Sequence, residues 1–180
     1  MRVVELDTAR GTLGKQPGSC NLSHVVGFEV TSIVPASPDV VWSRVSTIEG
    51  VNDELMPLAR MTCPRRYAGL RLDPSIVPLR ERAFRSWILL FGILPIDFDD
   101  LTLLRIEPGR GFLEQSPMLS QRLWVHERSL EPVAGGCRVT DRIRFEPRLP
   151  GLGHVLLPVF RFFFRHRHRR LGRFFRAREQ

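Results

Sequence analysis

Lysine is all but missing from this chain. Lys15 is the single one among 27 basic residues, and the rest are arginine. Such a bias follows codon usage as much as function, so arginine counts alone carry little weight. Cysteine is also scarce. Cys20, Cys63 and Cys137 are widely spaced and form no Cys-x-x-Cys pair, which argues against a disulfide framework or a zinc site and fits a reducing compartment. No basic segment leads into an apolar run near the N-terminus, so no secretory signal is read. The apolar-rich runs 87–96 and 152–164 are too short to span a bilayer. The expectation is a soluble, cytoplasmic protein.

Catalytic and cofactor motifs are missing too. No Gly-rich phosphate loop follows a strand, no Gly-x-Ser-x-Gly elbow occurs, and no cysteine has a histidine at motif spacing. Nothing therefore calls for a cofactor. A metal site is not expected either. His166 and His168 are two apart in a helical stretch, whereas a helical ligand pair wants three or four, and His24 and His154 stand alone.

What is present fits one globular domain over 26–180, with a loosely ordered leader over 1–25. A chain of 180 residues is long enough to bury about 70% of its unfolded surface. The net charge of +8 is uneven: eight arginines and one glutamate fall in 161–180, so all but one of those charges belong to the tail. A uniformly basic nucleic-acid binder is disfavoured. The tail itself reads as a long amphipathic helix from Gly153. Leu156, Phe160, Phe163, Phe164, Leu171, Phe174 and Phe175 recur near the helical period, with arginine filling the rest.

Upstream, Phe28 to Val34 alternates as a strand. Ser37 then reads as an N-cap and Pro38 as the first residue of a helix carrying Val40, Val41, Trp42 and Val45, ended by Gly50. Asn52-Asp53-Glu54 reads as the cap of a second short helix stopped by Pro57. Residues 65–80 look irregular, and 84–94 fits helix or strand equally. Strands are expected over 100–107 and 112–116, then a hairpin of 122–131 with 138–146 around Ala134-Gly135-Gly136. The fold class is α+β: a curved antiparallel sheet of about seven strands wrapped round a long C-terminal helix, with two short helices after strand 1.

The opening Ser32-Ile33-Val34-Pro35-Ala36-Ser37-Pro38-Asp39-Val40-Val41-Trp42 resembles that of the START-related helix-grip proteins, the SRPBCC superfamily. So do Gly50-Val51-Asn52-Asp53-Glu54-Leu55-Met56-Pro57, Gly111-Phe112-Leu113-Glu114-Gln115-Ser116, Trp124-Val125-His126-Glu127-Arg128 and Arg165-His166-Arg167-His168-Arg169-Arg170-Leu171, which point to uncharacterised bacterial members. The resemblance spans 27–176 and implies a hydrophobic cavity between sheet and last helix. Relatives use it for lipids, sterols, polyketides or aromatic hormones; some are cyclases or hydratases and many only bind. A role for Asn52 or Glu54 at the cavity mouth rests on that resemblance.

The hairpin gives the sharpest expectation. Cys137, Val139, Asp141, Ile143 and Phe145 share one face, and Asp141 is the polar intruder there. A two-residue turn at Ala134-Gly135 sets Trp124 opposite Phe145, His126 opposite Ile143 and Arg128 opposite Asp141. On the outer face Glu127 meets Arg142 and Glu131 meets Arg138, so each of these charges finds its opposite, which favours this register over a one-residue slip. A two-residue shift would set His126 opposite Asp141 on the same face. Trp124, His126, Arg128, Asp141, Ile143 and Phe145, with Phe160 and Phe164 from the helix, are the candidate ligand-binding residues. Three roles stay open for the polar group: an ion pair that fixes register, ligand orientation through Arg128, and general-base chemistry by His126 with Asp141. Glu114 joins the candidates as a cavity-wall residue, although a solvated glutamate is the default. Leu156, Phe160, Phe163 and Phe164 would form the cavity's lid. The half beyond them would be a solvated extension, or one docking on an anionic membrane through Arg165, Arg167, Arg169, Arg170 and Arg173.

Overall fold

The computed structural model describes residues 25–178. Nearly all of the leader expected over 1–25 lies outside them. In chain order the elements are β1 (Val26–Val34), α1 (Pro38–Val45), α2 (Ile48–Leu55), β2 (Ala59–Met61), β3 (Arg82–Leu90), β4 (Leu94–Glu107), β5 (Gly111–Ser116), β6 (Gln121–Val133), β7 (Gly136–Pro147) and α3 (Leu152–Arg176). The strands form one antiparallel sheet in the order β1-β7-β6-β5-β4-β3-β2. It curls round α3, and α1 and α2 follow β1. This is the helix-grip arrangement.

Register agrees with the charge pattern. Trp124 pairs with Phe145, His126 with Ile143, Arg128 with Asp141, Glu127 with Arg142 and Glu131 with Arg138. Gly135, at φ 81°, turns the hairpin in a conformation that L side chains avoid. Residues 84–94 resolve as the end of β3, a turn and the start of β4, so β4 begins six residues before the expected 100.

The short helices differ from expectation. Ser37 stands at the N-cap of α1 without a side-chain cap bond, and α1 ends at Val45 rather than Gly50. Gly50 lies inside α2, capped by Thr47, whose side chain accepts from the Gly50 N–H at 3.1 Å. Asn52-Asp53-Glu54 therefore caps nothing. Asn52 binds both backbone groups of Met61, Asp53 pairs with Arg44, and Glu54 is buried.

The helix α3 departs from expectation in its second half. Leu156, Phe160 and Phe164 do pack against the sheet's apolar cluster, but they do not do so alone. Val155, Val159 and Phe162 in its first half are exposed, Phe162 by 53%. In the second half Arg167, His168, Leu171, Gly172 and Phe175 are buried. The reason is period. Phe164, His168, Leu171 and Phe175 occupy one face, and that face meets the sheet. The arginine-dense half is thus docked as well rather than a solvated extension, and Arg167 is not free to meet a membrane. Among the described residues no helix is long and apolar enough to cross one.

Candidate functional site

Two apolar clusters fill the grip. Phe28, Val30, Met118, Trp124, Ile143, Phe145 and Phe164 form one, with Phe160 packed against it. Val34, Val41, Trp42, Val45, Leu103, Phe112, Leu130, Val139, Leu171 and Phe175 belong to the other. Alternation along each strand leaves a polar residue between the two levels: Ser32 on β1, His126 and Arg128 on β6, and Asp141 on β7. Glu54 of α2 and Arg167 and His168 of α3 complete this belt.

Asp141 is its centre. The carboxylate accepts from His126 Nε2 at 2.9 Å and Arg128 Nε at 2.7 Å on one oxygen. The other oxygen accepts from Arg128 Nη2 at 2.7 Å and His168 Nε2 at 3.0 Å. Arg128 donates onward to Glu54 through Nη1 at 3.0 Å and Nη2 at 3.1 Å, and Arg167 Nε reaches the same Glu54 at 3.0 Å. His168 closes the chain, its Nδ1 lying 2.7 Å from Ser32 Oγ. One network thus ties β1, α2, β6, β7 and α3.

Burial pushes the Asp141 carboxyl up, but Arg128 and then His126 outweigh it and hold it well below the usual carboxylate range. Burial likewise pushes Glu54 up, and Arg128 and Arg167 bring it below its ordinary value. Arg128 pays a desolvation cost that Asp141 and Glu54 more than offset, so it stays protonated. Because Asp141 is a pure acceptor, both histidines must carry their proton on Nε2 to bind it. The remaining ring nitrogen of His126, Nδ1, lies on the other side, 3.6 Å from Glu114 Oε2.

That other side is a cavity of about 110 Å³. Val45, Ile48 and Val51 from the α1–α2 corner, Tyr67, Leu72 and Val77 from the irregular segment, and Phe84, Leu101, Leu103 and Phe112 from the sheet form its apolar wall. Glu114, His126 and Arg167 make its polar end, with Arg71 at another point of the lining. Glu114 is buried and accepts from Ser116 Oγ at 2.9 Å, which corrects the default of a solvated side chain. Beside it Asp99 is buried too. Burial, with Glu114 adding to it, pushes its carboxyl well above the usual range. Cys63 also lines the cavity, but burial and then Glu49 push its thiol up, away from thiolate chemistry.

Of the residues singled out from sequence, His126 and Glu114 line this cavity. Arg128 and Asp141 sit behind them in the belt, and every nitrogen of the Arg128 guanidinium is already donating. Trp124, Ile143, Phe145, Phe160 and Phe164 pack in the cluster beyond the belt. Sequence reasoning missed Asp99, Arg167 and His168, and gave Glu54 no buried role.

A curled antiparallel sheet gripping a C-terminal helix over a buried polar belt is the START/Bet v1-like, or SRPBCC, fold. The chain belongs to the family described as "Domain of unknown function (DUF8410)", matched over residues 32–175. A protein of Chromobacterium violaceum superimposes with a TM-score of 0.61 at 12% identity, covering 83% of this chain and 96% of that one. The "START superfamily protein" of Mycobacterium smegmatis gives 0.59 at 14%, covering 86% and 98%. Ara h 8.0201 gives 0.57 at 12%, covering 85% and 99%. No curated protein matches the chain.

Proposed function

We propose that this protein binds a small, mostly apolar molecule in the cavity under the α1–α2 corner, polar group first. The observation that carries the reading is the lining itself: an apolar wall closed at one end by Glu114 and His126. A cavity of about 110 Å³ suits a molecule of roughly one aromatic ring, since an apolar cavity of about 150 Å³ takes up benzene. A long lipid or a polycycle would need the segment 65–77 to move outward. The fold family's habit of holding hydrophobic molecules supports the same reading. Native mass spectrometry of freshly purified protein tests it. A co-purified apolar molecule is expected, and an unliganded mass from several expression hosts would count heavily against binding.

A second reading, catalysis, draws on one further observation. His126 is held by Asp141 at Nε2 while Nδ1 is turned to Glu114 on the cavity wall, an arrangement suited to a general base in a cyclase or dehydratase. His126→Ala would then abolish turnover of the co-purified ligand and spare its binding. Equal turnover in that variant removes the proposal. Membrane association through α3 keeps less support, because Arg167 is paired to Glu54; only Arg169, Arg170 and Arg173 are exposed among the arginines named for it. It predicts salt-sensitive sedimentation with anionic vesicles, lost when those three become glutamine, and no sedimentation at low salt ends it.

A further inference from the structure

Behind the cavity's polar end lies a second acidic side chain that no ion pair explains. Asp99 of β4 reaches Glu114 and the Ser116 hydroxyl. Its Oδ1 is buried without a hydrogen-bond partner. Two carboxyls this close, both out of water, cannot both be ionised and hold at most one negative charge between them. The site decides which keeps the proton. A charged Asp99 would leave a buried anionic oxygen unsolvated, which is costly, whereas Glu114 receives the Ser116 O–H at 2.9 Å and faces the cavity. The proton therefore rests on Asp99, which donates it to Glu114. Burial and the Glu114 charge raise the Asp99 carboxyl in the same direction.

Two polar atoms of cavity-lining residues lie side by side: Glu114 Oε2 and His126 Nδ1, 3.6 Å apart. That separation is too long for a hydrogen bond between them, so neither satisfies the other. A hydroxyl entering between them can donate to the carboxylate oxygen and meet the ring nitrogen as donor or acceptor. The geometry points to a hydroxyl-bearing ring as the ligand of this cavity, its O–H set between Glu114 Oε2 and His126 Nδ1. This rests on the cavity reading above. It excludes a carboxylate ligand at that end, which would meet Glu114 as a like charge.

Calorimetric titration of the full chain with toluene, phenol and benzoate separates the two ideas. Phenol is expected to bind at least tenfold more tightly than toluene and benzoate more weakly than either. In Glu114→Gln the advantage of phenol over toluene should fall to about threefold or less. Phenol and toluene binding equally would overturn the hydroxyl assignment and leave the cavity reading standing. Benzoate binding best would overturn it too, because Arg167 or Arg71 would then be the contact. Binding of none of the three removes both. An infrared arm on the wild-type protein needs no variant. A protonated carboxylic acid band should persist above the pH at which ordinary carboxyls ionise, and shift with phenol but not with toluene. A spectrum with no such band overturns the shared proton.

Discussion

His168 donates from Nε2 to Asp141 Oδ2 at 3.0 Å, joining the last helix to a fully buried carboxylate on β7. The same Asp141 receives both Arg128 and His126, so the helix and the β6–β7 hairpin lean on one side chain. Stability and cavity shape both follow from that convergence.

Asp141→Asn should be the most damaging conservative change in the chain. It leaves Arg128 and Arg167 facing Glu54 alone, and removing one partner of a buried pair costs about 3–5 kcal/mol. Urea unfolding measures it. A loss below about 1 kcal/mol would mean that the belt does not hold the sheet to the helix.

The low-pH and high-pH limbs of stability should have different owners. Asp141 and Glu54 lie below their ordinary values when folded, so their contribution is complete at neutral pH and lost as pH falls through those lowered folded-state values. Asp99 is raised, so its contribution is present in acid and lost as pH rises through its folded value. Asp99→Asn should therefore flatten the decline that sets in as pH rises above the ordinary carboxylate range, and leave alone the losses owed to Asp141 and Glu54 below it. Urea midpoints across pH for both proteins check this.

Within α3, position should matter more than charge. Arg167→Met breaks donors to a buried carboxylate and should cost about 1.5–3 kcal/mol, whereas Arg169→Gln and Arg173→Gln, on the exposed side, should stay within about 0.5 kcal/mol. Similar losses at all three would contradict the burial of this half.

Gly50→Ala tests the corner above the cavity. A Cβ there would stand 2.0 Å from the Arg44 carbonyl oxygen, forcing α1 and α2 apart at a cost of about 1–3 kcal/mol. Thermal unfolding should show the loss, and toluene affinity should fall with it because Val45, Ile48 and Val51 move.

Leu101→Trp, by contrast, should fill the cavity without touching the belt. Binding of toluene and phenol should vanish while a cooperative unfolding transition remains. Retained binding would place the ligand elsewhere.

Much of this arrangement can be read from the chain, and the limits are physical. Asp141 announces itself as a charge on an apolar face, and the opposite charges at Glu127, Arg128, Glu131, Arg138 and Arg142 favour the observed register over a one-residue slip. A two-residue shift is settled only by the turn geometry. Glu54 is hidden by its neighbours, because Asn52-Asp53-Glu54 looks like a cap; counting back to Gly50 and Val51 on the same helical face would have exposed it. His168 is masked by arginine density, although it falls four residues after Phe164 and three before Leu171. Glu114 shares a face with Phe112, but which way that face points depends on its pairing with His126, a long-range fact that no local pattern encodes. Asp99 sits in an acidic run whose neighbours, Asp97 and Asp100, bind Ser120 and Arg85, and nothing local tells the three apart.

The belt also sets an order of assembly. Arg128 and Asp141 are synthesised before Arg167 and His168, so the hairpin leaves the ribosome with its charges only partly matched. Until the final segment docks, water must solvate what the helix later covers, and the sheet stays open. The protein therefore cannot close its interior early. A nascent chain stopped short of residue 167 should remain accessible to proteases and chaperones, with its sheet unsealed until the last turns arrive.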